Sequence, residues 1–327
     1  MGHNADFIDY IKEGLEIYGT HFGSSRNNSL RLAVYEDTES ALANFVEAPA
    51  SLIVSSGMWA AQLVMKMIEA FIPQSQIIKY HYAPRVHPAL WGNAFVQSKA
   101  DWKDWASATV GTIQESPSEY THIICTDAIG SPWVEEFDFS IFESLHEKQN
   151  TWLIVDDSHS LGVRGENGKG SFKILNDAVS AQIIVVSSLN KALGIPGGVI
   201  FGNTDILESL RSSPWFAGAS PPPPAYIYAL QSLLKNNSFV EAHAILKSNV
   251  FYLNEKIADK EIFHSVSDYP VLCSRETRLY DHLLKNGIMA SCFSYPSPTD
   301  SPVTRLSISA LHQKKDLDRL AEVFMKF

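Results

Sequence analysis

At 327 residues the chain is long enough for one large domain and a smaller one, and 45% hydrophobic with 19% charged residues is an ordinary globular balance. A formal net charge of −10 argues against nucleic acid or an anionic membrane surface as the main partner. The three cysteines, Cys125, Cys273 and Cys292, are too widely spaced for a disulfide framework or a zinc pattern, so no metal is expected and a reduced cytoplasm is the simplest setting. The opening residues carry Asp6 and Asp9 and no apolar core, so no secretion signal is expected. No apolar run approaches the roughly 20 residues of a membrane span.

Ile8, Ile11, Leu15 and Tyr18 fall at helical spacing, and Thr38 to Val46, with Leu42 and Phe45, reads as a second helix. The polar, glycine-containing stretch Gly19 to Arg26 between them is expected to be irregular. Leu52-Ile53-Val54 is a short strand ending in Ser55-Ser56-Gly57, followed by a helix through Leu63, Val64 and Met67. Further apolar runs stand at Ile77-Ile78, Ile123-Ile124-Cys125, Trp152 to Val155, Ile183 to Val186 and Val199-Ile200-Phe201. Continuous apolar strands alternating with helices predict an α/β fold whose mostly parallel sheet is covered on both faces. Ser213-Pro214 and Pro221 to Pro224 interrupt this pattern. A helix from about Ala225 to Leu246 then leads into a smaller C-terminal α/β domain. That domain holds strands at Pro270 to Cys273 and Arg305 to Ser309, and a closing helix with Leu317, Leu320, Val323 and Phe324 on one face. The expected division is a large domain over 1–235 and a small one over 236–327.

Ligands of such sheets bind outside the carboxyl ends of the strands, where Ser56, Thr126, Asp156 and Ser188 stand. One strand end delivers Asp156-Asp157-Ser158-His159, and the next delivers Ser187-Ser188-Leu189-Asn190-Lys191. A lysine able to form a Schiff base and an aspartate to partner a pyridinium nitrogen are what pyridoxal 5′-phosphate (PLP) requires.

The run Val155 to Gly170, with Asp156-Asp157-Ser158-His159 followed by glycines 162, 165, 168 and 170, resembles the hallmark of the α-oxoamine synthases. These are fold-type-I PLP enzymes that include 8-amino-7-oxononanoate synthase, 2-amino-3-ketobutyrate CoA ligase and serine palmitoyltransferase. The resemblance extends over nearly the whole chain. It implies the fold-type-I PLP-dependent transferase architecture, with Asp156 on the pyridine nitrogen and His159 reaching the ring hydroxyl. Ser188 to Gly198 is similar to the family's Thr-x-Ser-Lys-Ala-x-Gly-x-x-Gly-Gly segment, with Asn190 at a position where Ser or Gly is common. On that match Lys191 is the Schiff-base lysine and Ser188 a phosphate ligand. Ser56-Gly57-Met58-Trp59-Ala60-Ala61 looks like the family's Ser-Gly-Phe/Tyr-x-Ala-Asn, whose backbone amides at a helix start suit a phosphate.

His87, in Val86-His87-Pro88-Ala89, takes the place of the histidine that stacks on the cofactor face. Ser131 matches the serine of the family's Phe-Ser-Met-Asp-Gly segment and counts among the cofactor-binding residues. The following Pro132-Trp133-Val134 departs from that segment. Arg305, in Arg305-Leu306-Ser307-Ile308-Ser309-Ala310-Leu311-His312, resembles the arginine that clamps the substrate α-carboxylate through its planar fork. Gly218 stands where the family has a threonine that reaches the neighbouring subunit's phosphate site, with Ser220 nearby. Family members commonly carry an extra N-terminal segment, which is not expected here.

The resemblance implies condensation of an amino acid with an acyl-CoA-like thioester through a Lys191 aldimine, in a cytoplasmic homodimer. The same lysine, aspartate and arginine also suit an aminotransferase or a β-hydroxy amino acid lyase, because the pocket selects the bond that breaks. A non-catalytic PLP-fold subunit is the third reading, against which the intact Lys191 argues. No Gly-x-Gly-x-x-Gly follows an early strand, which argues against a nicotinamide dehydrogenase.

Overall fold

The structure, a computed structural model, describes residues 1–92, 98, 100–145, 150–257, 262–295 and 297–327. It divides into two units, one of Met1–Ala128 with Phe137–Ser238, the other of Ile129–Glu136 with Phe239–Phe327.

The first unit is built on six strands: β1 (Ala50–Val54), β2 (Ile77–Tyr82), β3 (Tyr120–Asp127), β4 (Thr151–Asp156), β5 (Gln182–Ser188) and β6 (Gly198–Gly202). Their order across the sheet is β1-β6-β5-β4-β3-β2. The pairs β2–β3, β3–β4 and β4–β5 are parallel, whereas β6 runs antiparallel to both β5 and β1. The Val199-Ile200-Phe201 run therefore reverses. Only residues 189–197 separate it from β5, too few for the crossover that a parallel neighbour needs. Since β1 and β5 both oppose β6, the carboxyl ends of β1 to β5 all emerge at one edge. Except in the edge strand β2, the strand centres are apolar on both faces: Leu52, Ile53, Ile123, Ile124, Leu153, Ile154, Ile184, Val185, Val199 and Ile200 are all buried.

Helices α1 (Ala5–Tyr18), α2 (Ala33–Val46), α3 (Gly57–Met67), α4 (Trp102–Gln114), α5 (Phe172–Ala178), α6 (Thr204–Arg211), α7 (Pro214–Ala217) and α8 (Pro224–Lys235) complete this unit. The buried face of α1 differs from the expected stripe. Phe7 and Gly14 are buried while Ile8 and Leu15 are exposed. The cause is close packing on α8, where a Cβ on Gly14 would come 2.7 Å from the Ala225 carbonyl oxygen. Behind the sheet edge, Arg26 donates to both carboxylate oxygens of Glu39, at 2.6 and 3.1 Å, and to the Ile53 carbonyl. Glu39 also accepts from the Ile53 amide and from Arg211, tying β1 to α2 and α6.

The helix expected from Ala225 to Leu246 is two helices. It stops at Lys235, and α9 (Ser238–Ile257) begins after Asn237, whose φ of 57° is the left-handed turn that asparagine tolerates.

In the second unit, β7 (Val271–Ser274), β8 (Ser291–Phe293) and β9 (Val303–Ser307) form an antiparallel sheet in the order β8-β9-β7. With α9, α10 (Leu279–Lys285) and α11 (Lys314–Met325) it encloses a core that includes Leu253, Leu279, Leu283, Val323 and Phe324. Ile129–Gly130 and Glu135–Glu136 make a two-residue ribbon in the same unit.

Candidate active site

At the carboxyl edge of the first unit each strand hands over a polar group. β1 is followed by Ser56, whose hydroxyl caps α3 by accepting from the Trp59 amide at 3.1 Å. That cap leaves the first amides of a helix N-terminus available to an anion. Gly57 opens this helix because nothing larger fits: an ideal Cβ there would lie 2.5 Å from Cβ and 2.7 Å from Cα of Ser188. Met58 is half exposed, and Trp59 Nε1 is buried without a hydrogen-bond partner among the described residues.

β2 leads to His87, which caps a short 3₁₀ turn through Nδ1, accepting from the Ala89 amide at 3.2 Å. Its Nδ1 stands 3.8 Å from Asp156 Oδ2. Burial holds the ring below the ordinary imidazole range, the Asp156 charge pulls it back up, and Lys191 opposes that pull.

β4 ends on Asp156, which is buried and accepts from the Ser158 amide at 2.9 Å. His159, half-buried, sits three residues on in the turn that follows. Asp157 has a different task. Its carboxylate accepts from the Ser171 hydroxyl at 2.7 Å and the Ser171 amide at 3.1 Å, closing the glycine-rich loop onto the strand end. Gly170, at φ 76°, is where that loop turns back, and a Cβ there would collide with the Asp157 carboxylate. Burial pushes the Asp157 carboxyl up to about 7, although the Ser171 bonds pull it down.

β5 ends on Ser188, whose amide donates to Ser158 Oγ at 2.8 Å and whose hydroxyl accepts from the Asn190 amide at 3.3 Å. The Asn190 side chain accepts from the Gly197 amide at 3.1 Å and so stitches the loop that presents Lys191. Asparagine at this position thus has a local reason. Lys191 itself is solvent-accessible, and its charge acts on His87 and Asp127.

Ser56 to Trp59, His87, Asp156, His159, Ser188 and Lys191 therefore gather at one sheet edge. Ser131 and Arg305 lie in the second unit, where they meet each other: Arg305 Nη1 donates to Ser131 Oγ at 3.4 Å. Arg305 Nε is buried without a hydrogen-bond partner among the described residues. Gly218 ends α7, donating its amide to the Pro214 carbonyl.

Asp127 was missed from the sequence. It closes β3, is level with Asp156 across the parallel pair, and accepts from the His87 amide at 3.0 Å. The available signal was the polar pair Thr126-Asp127 after an apolar run, of which only Thr126 had been singled out.

This donor set fits PLP: a helix-start cradle sterically reserved for glycine, a buried carboxylate beside an imidazole, and an accessible lysine. Comparison with known proteins agrees. The family model for aminotransferase class I and II matches residues 1–324, and the chain belongs to that family of PLP-dependent enzymes. Within it the α-oxoamine synthase resemblance is borne out by the relatives. The chain is 26% identical to the 8-amino-7-oxononanoate synthase of Thermoanaerobacter pseudethanolicus, over 96% of this chain and 81% of the relative. It is 25% identical to 8-amino-7-oxononanoate synthase 1 of Bacillus subtilis, over 98% and 83%. Among solved structures, Sphingomonas wittichii serine palmitoyltransferase superposes with a TM-score of 0.82 at 18% identity, covering 99% of this chain and 84% of that one. The 8-amino-7-oxononanoate synthase of Francisella tularensis gives 0.71 at 21%, covering 99% and 93%. These likenesses establish the fold as that of fold-type-I PLP enzymes.

Proposed function

We propose that this protein is a PLP-dependent α-oxoamine synthase that joins an amino acid to the acyl group of a CoA-like thioester, releasing the thiol. The observation that carries the reading is the convergence of the Ser56-Gly57 cradle, Asp156, His87 and the Ser188–Lys191 loop at the carboxyl edge of one sheet. PLP, when bound, supplies the electron sink that makes the amino acid α-carbon nucleophilic. The amides at the start of α3 and Ser188 hold its phosphate. Asp156, oriented by the Ser158 amide, would pair with the pyridine nitrogen. His87 covers the ring face, and His159 reaches the ring hydroxyl. Lys191 is the covalent anchor, and its amine moves the proton at the substrate α-carbon. Arg305 takes the substrate carboxylate through its planar guanidinium fork, whose Nε has no hydrogen-bond partner among the described residues. Among the described residues no helix is long and apolar enough to cross a membrane. We read the enzyme as a cytoplasmic homodimer, on the habit of the family, and Ser131 as a cofactor-side residue only in so far as it steadies Arg305.

The test is the visible spectrum of the purified protein with and without borohydride, then titration with glycine, alanine and serine, each paired with acyl-CoA donors. The expected result is a band that borohydride abolishes, that is absent in Lys191→Ala, and that one amino acid shifts, with free thiol released when a donor follows. Spectral cycling with a 2-oxo acid and no thiol release would move the reading to an aminotransferase. Formation of an aldehyde from a β-hydroxy amino acid would move it to a lyase. A protein that PLP cannot reconstitute would leave only the non-catalytic subunit.

A further inference from the structure

Asp127 is a partly buried carboxyl for which the reading above has no task. The β3–β4 register sets it beside Asp156, with the Ala128 amide donating to the Asp156 carbonyl at 2.9 Å. Its Oδ2 accepts from the His87 amide at 3.0 Å, while the His87 ring faces Asp156 at 3.8 Å. One carboxyl thus grips the backbone of His87 and the other faces its imidazole. The groups that act on Asp127 are the charges of Asp156 on β4 and Lys191 after β5 and the backbone amide of His87 after β2.

Two neighbouring carboxyls, one buried and one partly so, do not both ionise readily, since like charges at short range repel strongly where water is scarce. Each of the two accepts one backbone amide, Asp127 from His87. Asp156 accepts from the Ser158 amide. Burial, reinforced by the Asp156 charge, drives Asp127 well above the ordinary carboxylate range, although the His87 amide and Lys191 pull it down.

We propose that Asp127, set beside Asp156 and holding the His87 backbone, is a positioning residue that acts as a neutral acid and fixes His87. The identity of the ring that His87 covers rests on the PLP reading; the protonation of Asp127 does not.

The experiment compares wild type with Asp127→Asn, a neutral isostere that preserves the acceptor, and with Asp127→Ala, which removes it. The first readout is the infrared carbonyl stretch of protonated carboxyls in the apoprotein at neutral pH. Because Asp157 also contributes there, the wild-type minus Asp127→Asn difference isolates Asp127. The expected result is an acid band in that difference. The second readout is PLP affinity, expected to stay within about threefold in Asp127→Asn and to fall roughly tenfold in Asp127→Ala, the loss of one buried acceptor. An absent acid band overturns the proposal whatever the affinities. So does an Asn variant as impaired as the Ala variant, or an Ala variant that binds like wild type. If Asp127→Ala does not fold, the band and the Asn variant still decide. Failure of wild type to bind PLP would instead defeat the PLP reading, leaving the infrared result to judge the neutral acid alone.

Discussion

Gly57→Ala tests whether the start of α3 is as close to the end of β5 as its geometry implies. The added methyl would sit 2.5 Å from Ser188 Cβ, 2.7 Å from its Cα and 3.0 Å from its amide nitrogen. Carbons pack at about 3.5–4.0 Å, so helix and strand end must part by about 1 Å. Two of the three near atoms are backbone, held in place by the Ser188–Ser158 bond and the β5–β6 pairing, so a rotamer change offers no escape. Overpacking of this kind costs about 1–3 kcal/mol, and the better helix propensity of alanine returns at most ~1 kcal/mol. We expect a net loss of about 1–2 kcal/mol in urea unfolding of the apoprotein. PLP affinity should fall by roughly tenfold or more, because the displaced amides are those of the proposed phosphate cradle. Gly111→Ala is the matched control. It lies inside α4 with nothing within 4 Å of its Cβ position and should gain about 0.5–1 kcal/mol. A Gly57→Ala protein with the wild-type urea midpoint and wild-type PLP affinity would refute the cradle argument.

Three further expectations can be measured directly. Arg26→Leu leaves Glu39 buried with Arg211 as its one cationic partner among the described residues and should cost about 3 kcal/mol in urea unfolding; adding Glu39→Leu should recover most of that loss, and a single variant within about 0.5 kcal/mol of wild type would contradict a compensating role. Asp157, raised in the folded state to about 7, favours folding by its protonated form; its contribution is full below the unfolded value near 3.8 and is lost as pH rises to about 7, so wild type should lose stability relative to Asp157→Asn across that window, with parallel curves disproving the assignment. Arg305→Lys keeps the charge but not the fork, so amino acid binding should weaken by roughly 1.5–3 kcal/mol, about tenfold or more, with little change in PLP affinity; equal loss of both would place Arg305 on the cofactor instead.

Much of this protein was determined by its sequence alone. The continuous apolar runs became the strands of a doubly covered sheet, because a strand buried on both faces has no polar alternative. The Asp156–His159 and Ser188–Lys191 segments were legible as cofactor chemistry because the residue types and their glycine spacing are local properties. Asn190, a departure from the family pattern, turned out to hold its own loop. Other features were decided by tertiary structure. The reversal of β6, the shift of the α1 face to Phe7 and Gly14, the break at Asn237 and the grouping of residues 129–136 with the C-terminal unit all depend on neighbours distant in the chain. So does the set of Asp127, His87 and Asp156. They arrive from three different strands, and only the parallel register that lays β3 beside β4 sets the two carboxyls side by side.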